Sequence, residues 1–364
     1  MRSAQTVPLG DFQGTARPSL RHTTFVPDAV KLGIAALLAV LAAAGYAGQN
    51  PTTPAPPGSQ VSENAAAKAD AAPATFANVP YGDHALQMID IWQARSDKPT
   101  PLVFYIHGGG WAAQDKTDIH EHLDVRAFLD AGISVASVNY RLLQDANAAH
   151  ITLPVEWPMN DAKRALQFVR SKAGEWNFDK VRIAATGVSA GGGSALWLAL
   201  RDEMAEPGSP DPIARESTRL VGVAAMAPVV SLDPRQLREW IPNAIFGAHA
   251  FGFANLSRAD SFAPFLAARD SYLPQIQRYS PIEQARKGDP PVFIEFPAQD
   301  KPPVRGERQT DPSHSAVSGL MLEMKLHALG VPVELRYRGD GKKGNAHAQE
   351  FLTRLLTGSG AKRQ

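Results

Sequence analysis

Val181 to Gly193 reads VRIAATGVSAGGG. The first six residues are apolar apart from Arg182 and Thr186, which is the texture of a buried strand, and four glycines then surround Val188, Ser189 and Ala190. Gly187-Val188-Ser189-Ala190-Gly191 is a G-x-S-x-G. At a sharp strand-to-helix turn, small residues on both sides let a serine hydroxyl project above a sheet. The pentapeptide alone is weak, since Gly and Ser are common in turns. Its context is the confirming one: a strand before Gly187 and a helix, Ala190 to Leu200, after it.

The pattern continues outward in both directions. Upstream, His84 to Ala94 alternates as a strand with one wet face does, and Leu102–Ile106 (LVFYI) and Ile133–Tyr140 (ISVASVNY) are continuous apolar runs. Such runs read as parallel strands buried on both faces. A helix opens at Pro158 with Met159, Ala162, Leu166 and Val169 on one side. Downstream come strands at Leu220–Met226, Val292–Phe296 and Val333–Tyr337, with helices at His314–Leu329 and about Ala348–Leu356. Alternation of this kind predicts an α/β fold: a mostly parallel central sheet with helices on both faces. About 65 residues separate Met226 from Val292. They predict a cap insertion at about 230–288, carrying Trp240, Phe246, Phe251, Phe253, Phe262, Phe265, Tyr272 and Tyr279. Aromatic residues at helical spacing are more often a cap's own core than a pocket lining.

Sites in open α/β sheets lie at the carboxyl ends of the strands, and the reactive residue types gather there. His107-Gly108-Gly109-Gly110-Trp111 follows the run LVFYI. Its glycines leave main-chain N–H groups uncovered, as a developing oxyanion requires, so Gly109, Gly110 and Ala190 are the expected donors and Trp111 an expected substrate contact. A serine nucleophile needs a base that is itself held by an acid. Among ten histidines, His22 lies in the leader and His84 and His150 have no motif. His120 and His122 fall on a charged segment, His249 lies in the cap, His314 opens a helix and His327 sits within it. His347 stands in a polar loop between the last strand and the last helix, which returns it to the sheet edge, and it is the expected general base. Two acids follow VFIEF. Asp311, ahead of the helix at His314, is preferred, although Asp-Pro is also a good cap and first-turn pair; Asp300, four residues beyond Phe296, is the alternative. The match Gly339-Asp340-Gly341-Lys342-Lys343-Gly344 is not a nucleotide loop, because no βαβ unit follows it.

Composition bounds the remaining possibilities. The 364 residues carry 37 Lys and Arg against 36 Asp and Glu, with no Cys. No clustered basic stripe is present to neutralise phosphates, so a nucleic-acid partner is not expected. Thiolate metal sites, disulfides and cysteine nucleophiles are excluded. Leu32–Ala47 is an uncharged apolar run preceded by Lys31, short for a membrane span, and reads as a cleavable export signal at 1–47, with the protein then periplasmic or secreted and not stably inserted. Residues 48–74 read as a flexible Pro/Ala-rich linker and 75–364 as the folded domain. Residues 1–47 hold four basic and two acidic residues, leaving 33 basic against 34 acidic beyond them.

HGGGW, Asn139-Tyr140-Arg141, GVSAGG and the late His347 together resemble a serine esterase of the α/β-hydrolase superfamily. The branch is the one with an H-G-G-G-W loop, which includes feruloyl and acetyl-xylan esterase-like proteins and is related to the hormone-sensitive-lipase group. The resemblance covers about Tyr81 to Leu356. It implies an α/β-hydrolase fold and hydrolysis of small-molecule or carbohydrate-linked carboxylic esters without cofactor or metal. Ser189 matches the nucleophile, His347 the base, and Gly109, Gly110 and Ala190 the oxyanion donors. The family's usual acid stands just before the penultimate helix, which favours Asp311. A peptidase on the same triad, or a non-catalytic binding protein on this scaffold, are the rival classes.

Overall fold

The computed structural model describes residues 72–253, 258–341 and 347–358. The export signal expected at 1–47 and all but the last three residues of the linker expected at 48–74 lie outside them. One eight-stranded sheet runs through the fold: β1 (Phe76–Pro80), β2 (Met88–Trp92), β3 (Thr100–Ile106), β4 (Ser134–Val138), β5 (Phe178–Val188), β6 (Val223–Met226), β7 (Val292–Phe296) and β8 (Val333–Tyr337). Their order is β1-β2-β4-β3-β5-β6-β7-β8. β2 is antiparallel to both β1 and β4, and all later pairings are parallel.

Every residue of β3, β4, β6 and β7 is buried, because helices cover both faces there. The helices that pack on the sheet or build the cap include α1 (Val125–Asp130), α2 (Glu156–Ser171), α3 (Ala190–Leu200), α4 (Pro234–Trp240), α5 (Arg258–Tyr279), α6 (Ala316–Ala328) and α7 (Ala348–Thr357). On one face Phe104, Ile106, Ala185 and Ile294 pack with Leu166 and Val169 of α2, Leu196 of α3 and Leu322 of α6. On the other, Val103, Tyr105 and Phe293 meet Val125 and Phe128 of α1 and Leu352 and Leu356 of α7. Each of the larger apolar side chains so buried contributes on the order of 1.5–3 kcal/mol.

The segment between β6 and β7 is a cap built on α4 and α5. Phe251 stacks on Phe265 at 4.8 Å, and Tyr272 meets Phe251 edge-on at 5.8 Å. Most of the cap's aromatic residues are therefore its own core, with Phe262 and Phe265 fully buried.

The start of α6 departs from the sequence expectation and bears directly on the site. Asp311-Pro312 promised a cap for a helix opening at His314; the helix instead opens at Ala316, with the Ser315 hydroxyl accepting from the Val317 N–H at 3.2 Å. Asp311 caps a separate turn, accepting from the N–H groups of Ser313 at 3.0 Å and His314 at 3.2 Å. His314 is thereby left outside the helix, and its ring turns toward the sheet.

Candidate active site

Ser189 joins β5 to α3 with φ 53° and ψ −118°, a strained positive-φ conformation that costs a non-glycine residue about 1–3 kcal/mol. Three main-chain hydrogen bonds hold it there. The Ser189 N–H donates to Met226 O at 2.9 Å, and its carbonyl accepts from Gly193 at 2.9 Å and from Val229 at 3.1 Å. The result is a half-buried hydroxyl at the carboxyl end of the sheet.

The side chain facing that hydroxyl is His314. Ser189 Oγ and His314 Nε2 lie 2.9 Å apart, and His314 Nδ1 lies 2.8 Å from Asp311 Oδ2. Read as a network, the tautomer carries its proton on Nδ1, donated to the carboxylate, and leaves Nε2 to accept from the serine. Burial works to raise the Asp311 carboxyl. The hydrogen bonds from His314 and from the backbone of Ser313 and His314 outweigh it, so the acid lies below the usual carboxylate range and stays ionised. Asp300, the alternative acid, is committed elsewhere, to an exposed pair with Arg338.

His347 was expected at Ser189, and His314 stands there instead. His347 is the N-terminal cap position of α7, largely exposed, with Nδ1 3.6 Å from Glu295 Oε2 on β7. Burial holds the Glu295 carboxyl above its ordinary range against the opposing contributions of the Ala348 N–H and of His347. In the sequence His314 reads as the first residue of a helix, which hides it as a base. Asp-x-x-His ahead of a serine cap was the available signal, since three residues across a turn bring both side chains to one side.

The glycine loop abuts Ser189. A Cβ on Gly108 would lie 2.9 Å from Val188 O and 3.5 Å from Ser189 Cβ. Gly109 at φ 75° and Gly110 at φ 64° use the left-handed freedom of glycine to turn the main chain back on itself. His249 from the cap meets the loop, its Nε2 3.1 Å from Gly110 O. Trp111, expected as a substrate contact, is 1% exposed: its indole N–H donates to Ser194 Oγ at 3.0 Å and its ring leans on Phe246. It is an internal strut of the loop. Next to it lies a narrow apolar cavity lined by Pro228, Val229, Ala244, Phe246, Pro312 and Ser313, with about 10 Å³ open to the centre of a water-sized group. That is room for about one such group. Val229, one of its walls, donates its N–H to the Ser189 carbonyl at 3.1 Å, and Ser313, another, directly precedes His314.

His107, at the base of the loop, is buried with no hydrogen-bond partner for Nδ1 among the described residues, and burial pushes its imidazole pKa down to about 4. An unfolded chain takes up this proton near pH 6.5, before the folded protein does. Its contribution to stability is therefore full above pH 6.5 and falls by about 1.4 kcal/mol per pH unit, to a loss of about 3 kcal/mol at pH 4. Urea unfolding between pH 7 and 4 is expected to show this slope in the wild type and to lack that share of it in His107→Gln. Equal slopes would rule the contribution out.

The profile of the BD-FAE family matches residues 89–305, a span that holds the glycine loop, Ser189 and the strands that carry them. The chain belongs to the BD-FAE family. Asp311 and His314 lie just beyond the matched span. Curated relatives include esterase LipC of Mycobacterium tuberculosis, 29% identical over 118 residues, and carboxylesterase NlhH of the same organism, 34% identical over 108 residues. These alignments cover 31% and 29% of this chain and only 27% and 31% of the relatives' own lengths. A truncated carbohydrate esterase from gut microbiota superposes with TM-score 0.56 at 18% identity, over 78% of this chain and 96% of the other. The acetyl ester-xyloside bifunctional hydrolase of Caldicellulosiruptor lactoaceticus gives 0.52 at 24% identity, over 75% and 86%. These neighbours share the fold, so the BD-FAE chain has an α/β-hydrolase architecture.

Proposed function

We propose that this BD-FAE protein is a carboxylic ester hydrolase working through an acyl-enzyme on Ser189. The observation that carries the reading is the hydrogen-bonded series Ser189–His314–Asp311 lying against a glycine loop. His314 Nε2 takes the Ser189 proton as Oγ attacks the ester carbonyl. The N–H groups of Gly109, Gly110 and Ala190 are the donors for the oxyanion, and Asp311 holds the imidazolium through Nδ1. Collapse breaks the bond to the alkoxy group, which leaves with the proton from His314. Water then attacks the acyl-enzyme as one of its protons passes to His314, and collapse breaks the acyl bond as His314 returns that proton to Ser189 Oγ and the acid is freed. The names of the curated relatives, esterase and carboxylesterase, support this reaction class.

The narrow cavity between Val229 and Ser313 supports a short acyl group. Structural neighbours titled as carbohydrate and acetyl-ester hydrolases support small or sugar-linked alcohols on the other side of the ester. Purified protein is expected to release p-nitrophenol from the acetate ester with kcat/KM at least about tenfold above that for the hexanoate, since each misfitted methylene is worth about 1–3 kcal/mol in a closed pocket. A flat chain-length profile would remove the cavity from the acyl site. A fluorophosphonate probe is expected to label Ser189, as found by peptide mass; no labelling, or turnover of amides in place of esters, overturns the esterase reading. The run Leu32–Ala47 supports export with cleavage after Ala47, and N-terminal sequencing of the processed protein tests it: a chain still carrying residues 32–47 sinks the idea.

A further inference from the structure

We infer that Tyr140 is a positioning residue of the oxyanion loop, its single hydroxyl aiming the Gly109 N–H by holding the carbonyl oxygens behind it. The inference rests on the reading of Ser189 as an ester nucleophile. The Tyr140 hydroxyl lies 2.9 Å from His107 O and 2.8 Å from Gly108 O, so one proton is shared between two successive carbonyls of the glycine loop. In a trans peptide the C=O and the following N–H point in opposite directions. A phenol fastened to Gly108 O therefore directs the Gly109 N–H away from the buried phenol. With φ 75° at Gly109 and φ 64° at Gly110, these residues carry no side chain of their own to lock their peptides, and rotation of either would dissipate the donor array.

Tyr140 is itself firmly held. It is 1% exposed and stacks on the His107 ring with centroids 4.1 Å apart and planes 10° apart. Its neighbours are anchored on both sides: Asn139 O accepts from the Tyr81 hydroxyl at 2.6 Å, and the Arg141 guanidinium meets Asp161 through two hydrogen bonds while lying over Trp157. Burial also keeps the phenol protonated, well above its ordinary range, so the donor is present at every working pH. The chemistry therefore has a rigid donor, two acceptors and a glycine loop whose N–H direction depends on them.

Tyr140→Phe tests this beside Tyr105→Phe, since the Tyr105 hydroxyl is equally buried, one strand residue from the same loop, and has no hydrogen-bond partner among the described residues. Removing a whole oxyanion donor costs about 100- to 1,000-fold, so loosening one is expected to lower kcat by about 10- to 100-fold in Tyr140→Phe. KM should stay within about twofold, and affinity for a trifluoromethyl ketone, which forms a tetrahedral adduct on serine, should fall in parallel with kcat/KM. Tyr105→Phe should keep wild-type kinetics. Wild-type kcat and ketone affinity in a folded Tyr140→Phe would overturn the inference, as would a Tyr140→Phe that does not fold, since the hydroxyl would then serve the fold and not the donor. Wild-type protein with no ester turnover would instead remove the esterase reading itself.

Discussion

Replacing His314 by alanine is expected to lower kcat/KM for p-nitrophenyl acetate by about 1,000-fold or more, close to the effect of Ser189→Ala, because nucleophile and base act as a unit. The 2.9 Å contact to Ser189 and the 2.8 Å contact to Asp311 place one imidazole in both hydrogen bonds that a general base needs. The double variant Ser189→Ala/His314→Ala should then lose little beyond either single change. His347→Ala is the discriminating control. Its ring is exposed and leans on Glu295, so activity should remain within about threefold and any cost should appear as stability, through the buried Glu295 carboxylate left without it. The opposite result, a dead His347→Ala and an active His314→Ala with both proteins folded, transfers the base to the residue ahead of α7. Asp311→Asn should follow His314→Ala with a loss of about 100-fold or more, and Asp300→Asn, whose carboxylate is engaged by exposed Arg338, should be near neutral.

The parts of this site that were readable from the chain are those set by local rules. HGGG after LVFYI and GVSAGGG after VRIAAT each combine a buried strand with residues too small to do anything but turn, and period and composition suffice to place both loops at strand ends. The parallel order of the sheet follows from the same alternation. What local rules could not decide was competition between equals. Asp311 and Ser315 are both good cap residues four positions apart, and only the packing of Ala316, Val317 and Leu322 against the sheet chooses Ser315 and so releases His314 from the helix. Glu295 was equally hidden: within VFIEF it reads as one more strand residue, and nothing in the sequence says that its carboxylate meets the start of α7. Trp111 shows the reverse case. Its place in the HGGGW loop reads as a substrate contact, whereas the partner of its indole N–H, Ser194, stands on α3 and is found only in three dimensions.

Gly191→Ala is expected to cost more than about 4 kcal/mol, the range in which a single change indicates a specific steric failure. A methyl at this position would stand 2.1 Å from Ile106 O and 2.2 Å from His107 O. Both are backbone atoms of the strand end and loop, so no side-chain rotamer can relieve the overlap. In the proposed mechanism the first turn of α3 must press against the end of β3 for the Ala190 N–H and the glycine loop to bracket one oxyanion, and Gly191 stands at that contact. Relief by moving α3 outward would part those donors and stretch the Ser189 N–H contact to Met226, so surviving folded protein should also have lost about 100-fold or more in kcat. Gly208→Ala, where an added methyl meets nothing within 4 Å, should change stability by less than about 0.5 kcal/mol. Urea midpoints and p-nitrophenyl acetate turnover for the two variants decide the matter: a Gly191→Ala protein with wild-type midpoint and wild-type kcat would mean that the helix and the loop are not in contact as described.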